Sequence, residues 1–156
     1  MSCKVTWLGH SAMAIETGGY KILVDPFFHD NPMTAADPKN VQADFILVSH
    51  GHFDHVCDTA AIAKRTGATI IANVEICSWL TEHSGLKTHG QQPGGGYLHP
   101  FGYLKLTTAI HGSILPDGSY GGLACGFLLT TQAGKKIYLA CDTGLFGDMH
   151  LIGEEG

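Results

Sequence analysis

The side chains with the clearest chemistry stand in one short run, His-Gly-His-Phe-Asp-His, at residues 50–55. The run brings three imidazoles and one carboxylate into six consecutive positions. Neutral imidazoles and carboxylates are both ligands for first-row divalent metals. Residues two apart in extended backbone point to the same side, so His50 and His52 can share one ion. Asp54 and His55 follow directly and can reach a neighbouring position if the chain turns, so the run predicts a site for two metal ions.

The run also has plainer explanations, because ten His in 156 residues make some clustering expected. Even so, a chance H-x-H-x-D-H is on the order of one in several hundred. Its internal position argues against a purification tag. A solvated loop is disfavoured because residues 45–48, Phe-Ile-Leu-Val, form a continuous apolar run, as in a strand buried on both faces. The cluster therefore begins where a central strand ends, which is where open α/β sheets usually place a site.

Composition narrows the class of protein. At 156 residues the chain has the length of one domain, or of a fragment of a larger one. A hydrophobic content of 44% with 15% charged residues is typical of a globular core. The net charge of −5 disfavours a nucleic-acid partner, which usually needs a basic face. We expect no membrane span and no signal peptide, and the five widely spaced Cys indicate reduced thiols of a cytoplasmic protein.

Apolar patterning and turn residues predict the order of the elements. Strands are predicted at residues 3–8, 12–16, 20–24, 45–48, 68–72, 102–110, 122–131 and 136–141. Helices are predicted at residues 56–66 and 74–83, with a short one beginning near Leu145. Residues 27–43, 90–100 and 112–121 are predicted loops, of the kind that select a substrate. No internal repeat or linker divides the chain.

Residues suited to a site recur directly after predicted strands. Besides the run at 50–55, these residues are His10, Asp25, His111 and Asp142. An isolated His after a strand is more often structural than a ligand. The recurrence of such residues at several strand ends, around one metal-binding run, favours a shared site over separate structural roles.

With these residues in view, the sequence resembles the metallo-β-lactamase superfamily. It looks most similar to a branch of small bacterial and archaeal metal-dependent hydrolases related to the ascorbate-6-phosphate lactonases. The resemblance extends over nearly the whole chain. Besides the run at 50–55, it is carried by residues 6–11 (Thr-Trp-Leu-Gly-His-Ser), 22–27 (Ile-Leu-Val-Asp-Pro-Phe), 110–113 (Ile-His-Gly-Ser) and 140–144 (Ala-Cys-Asp-Thr-Gly).

The resemblance implies an α+β fold, a four-layer αββα sandwich with the metals at one edge between two sheets. It implies a ligand set in three parts: for the first metal His50, His52 and His111, for the second Asp54 and His55, and for both a bridging Asp142. The cofactor expected first is Zn²⁺, as one or two ions, while Mn, Fe and Ni also suit His and carboxylate ligands.

The resemblance also gives roles to residues around the metals. Asp25 corresponds to an acid that orients a ligand His, since a ligating imidazole usually donates its other N–H to such a partner. An equal alternative is a polar residue that ends a strand. Asp54 can orient the nucleophile or pass on its proton. His10 lies in a segment that faces the mouth of the active site, where it either touches substrate or serves as a turn residue.

The sequence departs from the superfamily pattern near its C-terminal end. The superfamily supplies one more His to the second metal from a later strand, whereas only His150, in a predicted helix, follows Asp142 here. We therefore expect a single domain over residues 1–156 that is truncated or split, with its second αβ half incomplete. A second polypeptide, self-association or an unusually compact variant would complete it. The second metal is then expected to bind more weakly.

The leading hypothesis is a metal-dependent hydrolase of a small ester, lactone or phosphoester, with a small-molecule substrate. A nuclease of the same superfamily is the second hypothesis, and it would need a basic surface that the sequence does not suggest. The third is a metal-binding module with weak or no activity, because the last His ligand is missing.

Overall fold

The first part of the chain forms a six-stranded mixed sheet in the computed structural model, which describes residues 2–155. In spatial order its strands are β1 (Lys4–Gly9), β2 (Ala12–Thr17), β3 (Tyr20–Val24), β4 (Phe45–Leu47), β5 (Thr69–Asn73) and β6 (Thr88–Gln91). The strands β1 to β3 pair antiparallel through tight turns, whereas β3 to β6 pair parallel. Because parallel neighbours require a crossover, the later connections are long and mostly carry helices.

The helices of these connections pack on one face of the sheet. They are α1 (Phe53–Val56), α2 (Thr59–Thr66) and α3 (Val74–Ser84). Gly67 and Gly85 end α2 and α3 in left-handed conformation, at φ of 76° and 61°, which glycine adopts without strain. The longest helix has 11 residues. Across residues 2–155 no helix has the length and apolar character needed to cross a membrane.

The two faces of the central strands pack into two separate hydrophobic cores. Leu23 and Ile46 pack against the helices, whereas Ile22, Val24 and Leu47 belong to the core between the sheets. All five side chains are at most 1% exposed. Each buried aliphatic side chain of this size stabilises the fold by roughly 1.5–3 kcal/mol. The continuous apolar run at residues 45–48 is therefore a strand covered on both sides, as predicted.

A second, fully antiparallel sheet faces the first. Its spatial order is β10 (Lys136–Leu139), β9 (Cys125–Thr131), β8 (Gly102–Thr108) and β7 (Gly96–His99). Leu104 and Leu106 point into the core between the sheets, and Lys105 between them points outward to bind the Glu155 carboxylate at 2.6 Å. Glu155 belongs to α4 (Met149–Glu155), which therefore lies outside this sheet. The layer order confirms the predicted α+β αββα sandwich.

The fourth layer is thin. Within the described residues it consists of α4, a helix of seven residues with none buried. The expectation of an incomplete second αβ half, and of a truncated or split domain, stays a prediction.

Some predicted boundaries were wrong. The predicted loop at 90–100 contains the end of β6 and the whole of β7, four-residue strands too short to show a period. The predicted helix at 56–66 begins earlier and is interrupted between α1 and α2. At the interruption, the carboxylate of Asp58 accepts the backbone N–H groups of Phe28 and His29 at 2.7 and 2.9 Å. The last helix begins at Met149 rather than near Leu145.

Candidate metal centre

The predicted site residues all come together, although they follow five different strands. His10 lies after β1, Asp25 after β3, the run at 50–55 after β4, His111 after β8 and Asp142 after β10. Each of these segments has a side-chain atom within 4 Å of a side chain from another segment. The fold therefore gathers the whole predicted set into one cluster at the edge of the two sheets.

Three imidazoles form the first group of the cluster. The potential ligand atoms of His50, His52 and His111 all lie within 4.8 Å of one another. Nε2 of His50 is 3.0 Å from Nδ1 of His52. Burial, followed by the charges of the neighbouring His55 and His52, lowers the pKa of His50 to about 3. His50 is therefore a neutral imidazole at neutral pH, which is the form that binds a metal.

The second group consists of His10, Asp54 and His55, whose potential ligand atoms also lie within 4.8 Å of one another. Nε2 of His10 is 2.9 Å from Oδ2 of Asp54, and Nε2 of His55 is 3.7 Å from the same oxygen. Burial opposes ionisation of Asp54, but the charge of His55 and the contacts with His10 hold its pKa below the ordinary value. This group therefore offers two nitrogen donors and an ionised carboxylate.

Asp142 lies between the two groups. Its Oδ2 is 3.5 Å from Nε2 of His55 in one group and 3.7 Å from Nε2 of His111 in the other. Its Oδ1 accepts a hydrogen bond from the Ser11 hydroxyl at 3.2 Å. A carboxylate held in this way can serve two ions at once.

One buried atom tests whether the cluster fits a metal. His55 is fully buried, and its Nε2 has no hydrogen-bond partner among residues 2–155. Leaving such an atom unsatisfied costs about 1–3 kcal/mol. The atom points between the carboxylates of Asp54 and Asp142, where a cation would satisfy it. The donor set therefore fits one or two divalent ions, as its imidazole and carboxylate chemistry suggests.

Asp25 fixes the orientation of the buried imidazoles. Its Oδ2 is 3.0 Å from Nδ1 of His55, and it also accepts the Ser49 hydroxyl at 2.6 Å. Because that hydroxyl has one proton and donates it to Asp25, its contact with Nδ1 of His50, at 2.9 Å, requires His50 to donate. In the neutral form of both rings the proton then sits on Nδ1, and the lone pair of Nε2 faces the cluster. Although burial opposes it, Asp25 also raises the pKa of His55, with help from the other two carboxylates.

The comparisons with known proteins agree with this geometry. The model of the beta-lactamase superfamily domain matches residues 20–155. The chain belongs to this superfamily.

Two curated relatives of this superfamily member carry the name UPF0173 metal-dependent hydrolase. The protein from Carboxydothermus hydrogenoformans is 48% identical over 153 residues, which are 97% of this chain and 67% of that protein. The protein from Flavobacterium johnsoniae is 46% identical over 150 residues, 96% of this chain and 66% of that protein. The chain thus spans about two thirds of the length of these relatives. It is a member of a family of metal-dependent hydrolases.

A solved structure supports the same assignment. Igni18, a metallo hydrolase from the archaeon Ignicoccus hospitalis, is 35% identical to this superfamily member and superposes with a TM-score of 0.84. The match covers 97% of this chain and 66% of Igni18. The predicted relation to ascorbate-6-phosphate lactonases stays a prediction.

The backbone adopts a left-handed conformation at several strand ends of this protein. His10 has φ of 52° and Asp25 has φ of 42°, while Cys141, directly before Asp142, has φ of 54°. Such values are uncommon outside glycine, and they concentrate where structure serves a site. The turns reverse the chain at the sheet edge and direct the side chains of the cluster inward.

The sequence patterns did not identify the Ser and Thr residues whose hydroxyl groups hold the metal-ligand side chains in place. Ser49 connects Asp25 to His50, and Ser11 binds Asp142. Thr143 Oγ1 accepts the backbone N–H of Ile110, which ties the two segments that carry the last ligands. Each of these residues adjoins a ligand or another site residue, so adjacency to the cluster was the available signal.

An open groove lies beside the cluster. Its volume is about 470 Å³, and it is lined by His52, Gly112, Ser113, Ile114, Gly118, Ser119 and Tyr120. Apart from His52, these residues come from the predicted loop at 112–121. The hydroxyl of Ser113 accepts the N–H of Gly51 at 3.0 Å and thereby holds this loop against the metal-binding run.

Proposed function

We propose that this chain is a metal-dependent hydrolase that holds one or two divalent ions, zinc first, and cleaves a small ester, lactone or phosphoester. The observation that carries the proposal is the position of the Asp142 carboxylate between His55 and His111, next to a buried and unpaired imidazole nitrogen. This arrangement supports two adjacent cation positions that share one carboxylate. The printed names of the relatives support the same reaction class.

Some residues of the cluster would bind an ion, and one of them would also accept a proton. His50, His52 and His111 would hold one ion as neutral imidazoles, and Asp142 would link it to the other position. A bound divalent ion would supply Lewis acidity and lower the pKa of its bound water to about 7. Zinc suits this imidazole-rich set, while manganese, iron and nickel stay as alternatives.

Asp54, which with His55 would be a ligand at the second position, is also the proposed proton acceptor. Its side chain is 44% exposed, so that water can reach it, and its lowered pKa keeps it ionised at neutral pH. A carboxylate in this state accepts a hydrogen bond from an attacking water and orients it. Asp25 and Ser49 lie behind the buried imidazoles, where they hold orientation and take no part in proton transfer to substrate.

A small molecule is the proposed substrate. The groove beside His52 is lined by small and hydroxyl-bearing residues with two larger side chains, Ile114 and Tyr120, which are 54% and 68% exposed. No Lys or Arg lines it, although a polynucleotide substrate would need basic residues nearby. The completion of the fold by a second polypeptide or a second copy stays a prediction that native mass measurement tests.

The proposal is tested with metal-free protein reloaded with Zn²⁺ or Mn²⁺. The loaded protein is assayed against a generic phosphodiester, a lactone and an aryl ester. We expect turnover of at least one class, abolished by a chelator and by His111→Asn. RNA cleavage that weakens steeply with salt would instead favour the nuclease. A protein that binds metal and turns over no substrate class would support the inactive module.

A further inference from the structure

We infer that His10 is a ligand of the second ion, together with Asp54, His55 and Asp142, an inference that rests on the proposed function. His10 then serves as a donor at the second position rather than contacting substrate.

The distances around Asp54 support this assignment. Nε2 of His10 lies 2.9 Å and Nε2 of His55 lies 3.7 Å from Oδ2 of Asp54, and Nε2 of His55 lies 3.5 Å from Oδ2 of Asp142. For metal–ligand bonds of about 2.0–2.1 Å, tetrahedral ligands lie roughly 3.4 Å apart. The observed separations bracket that value. The potential ligand atoms of His10, Asp54 and His55 also lie within 4.8 Å of one another, which is a spacing that suits ligands of a single ion.

An independent observation points to a cation at this position. Nε2 of His55 is buried and has no hydrogen-bond partner in the described part of the chain, and it faces the same carboxylates that His10 approaches. Its Nδ1 already contacts Asp25, so in the neutral ring the lone pair is on Nε2. An ion between His55 and His10 would satisfy this atom.

The turn between β1 and β2 is built to hold His10 in place. Gly9 has φ of 103°, and a Cβ there would lie 2.8 Å from the carbonyl oxygen of Met33, so only glycine fits. The Trp7 indole N–H donates to the carbonyl of His10 at 2.8 Å. His10 itself stands at φ of 52°, in left-handed backbone. This backbone directs the ring toward Asp54.

Neighbouring rings fix the direction of the His10 ring. The ring lies edge-on to Phe27 and to His55, with centroid separations of 5.6 and 5.2 Å. Although its side chain is 37% exposed, Nε2 is directed at Asp54. Nε2 of His10 therefore lies beside the other potential ligand atoms of this group.

The inference is tested by counting and titrating bound metal. Metal-free protein is titrated with Zn²⁺ against a chelating indicator, and bound metal per chain is measured by mass spectrometry after desalting. The variant is His10→Asn, because Asn tolerates left-handed backbone and lacks the imidazole. His83→Asn, on the exposed side of α3, is the matched control, and His111→Asn removes a ligand of the first ion.

We expect the wild type and His83→Asn to bind two ions in two steps. In His10→Asn the first step should be unchanged and the second weakened by about tenfold or more. His111→Asn should weaken the first step instead. An unchanged second step in His10→Asn would overturn the inference.

A measurement on the unmodified chain keeps the test independent of any variant. Acylation of histidine, followed by peptide mass spectrometry, should label His10 in the metal-free protein and after one equivalent of Zn²⁺, but not after two. Labelling that persists at two equivalents would contradict the assignment. A wild type with one ion, lost only in His111→Asn, would overturn the inference yet leave the proposed function standing. A wild type without any ion would overturn both.

Discussion

The carboxylate of Asp25 sets the tautomer of His50 through a hydroxyl that contacts both side chains. Ser49 donates its only hydroxyl proton to Asp25 at 2.6 Å and lies 2.9 Å from Nδ1 of His50. The same Asp25 oxygen also lies 3.0 Å from Nδ1 of His55. The buried Asp25 therefore orients one imidazole in each of the two groups, so both groups depend on it.

Asp25→Asn should weaken metal binding by about 10–100-fold, because a neutral amide orients a ligand imidazole less well. Asn tolerates the φ of 42° at this position, so the backbone is retained. Competitive titration with Zn²⁺ measures the change. Asp30→Asn, at φ of 62° on the surface, is the matched control and should bind as the wild type does. Equal affinity in both variants would show that Asp25 only ends a strand.

Ser49→Ala should destabilise the metal-free protein by about 1–3 kcal/mol, since it leaves Nδ1 of the buried His50 without a partner. The free energy of unfolding, measured in urea, checks this value. Ser78→Ala, at an exposed position of α3, should change stability little. A Ser49→Ala variant as stable as the Ser78 control would mean that water replaces the hydroxyl.

Asp142→Asn should separate the two metal positions. The amide oxygen can bind only weakly, so we expect the chain to keep the ion of the three imidazoles and lose the second. Hydrolytic activity of the loaded protein should fall by at least about 100-fold, as expected when a charged group at the reacting centre is removed. Metal content and rate are measured on the same preparation. Retention of two ions would contradict a bridging role.

Because His99 is buried, the free energy of unfolding should decrease in mild acid. Burial, followed by the charge of His89, lowers the pKa of His99 from 6.5 to about 4. Because protonation then favours the unfolded chain, stability is complete above pH 6.5 and falls as the pH drops toward 4. The loss is at most about 3 kcal/mol.

His99→Gln should flatten that pH dependence, since Gln does not titrate and can still reach Gln91, whose Oε1 lies 3.1 Å from Nε2 of His99. Chemical denaturation at a series of pH values from 6.5 to 4 measures the slope. An identical slope in the variant would assign the acid sensitivity to the metal-binding histidines instead.

Much of the fold followed from local patterns. The apolar run at 45–48 predicted a strand covered on both faces, and alternation predicted most other strands. The strands β6 and β7 escaped detection because each has four residues and is stabilised by pairing with a neighbour rather than by its own pattern. The break between α1 and α2 also escaped detection, and at the break Asp58 accepts backbone N–H groups from a loop 29 and 30 residues away.

The sequence by itself determined the chemistry available to this protein. The residue types and spacing at 50–55, with single residues after four other strands, were sufficient to predict a two-metal centre. Only the tertiary structure showed which contacts bring those donors together, because these contacts join residues far apart in the chain. It placed Asp142 between the two groups, left one buried nitrogen of His55 unpaired, and turned His10 onto Asp54 across 44 residues. Spacing in the sequence predicts which ligands are neighbours within one segment. The arrangement of the strands determines which ligands from different segments meet.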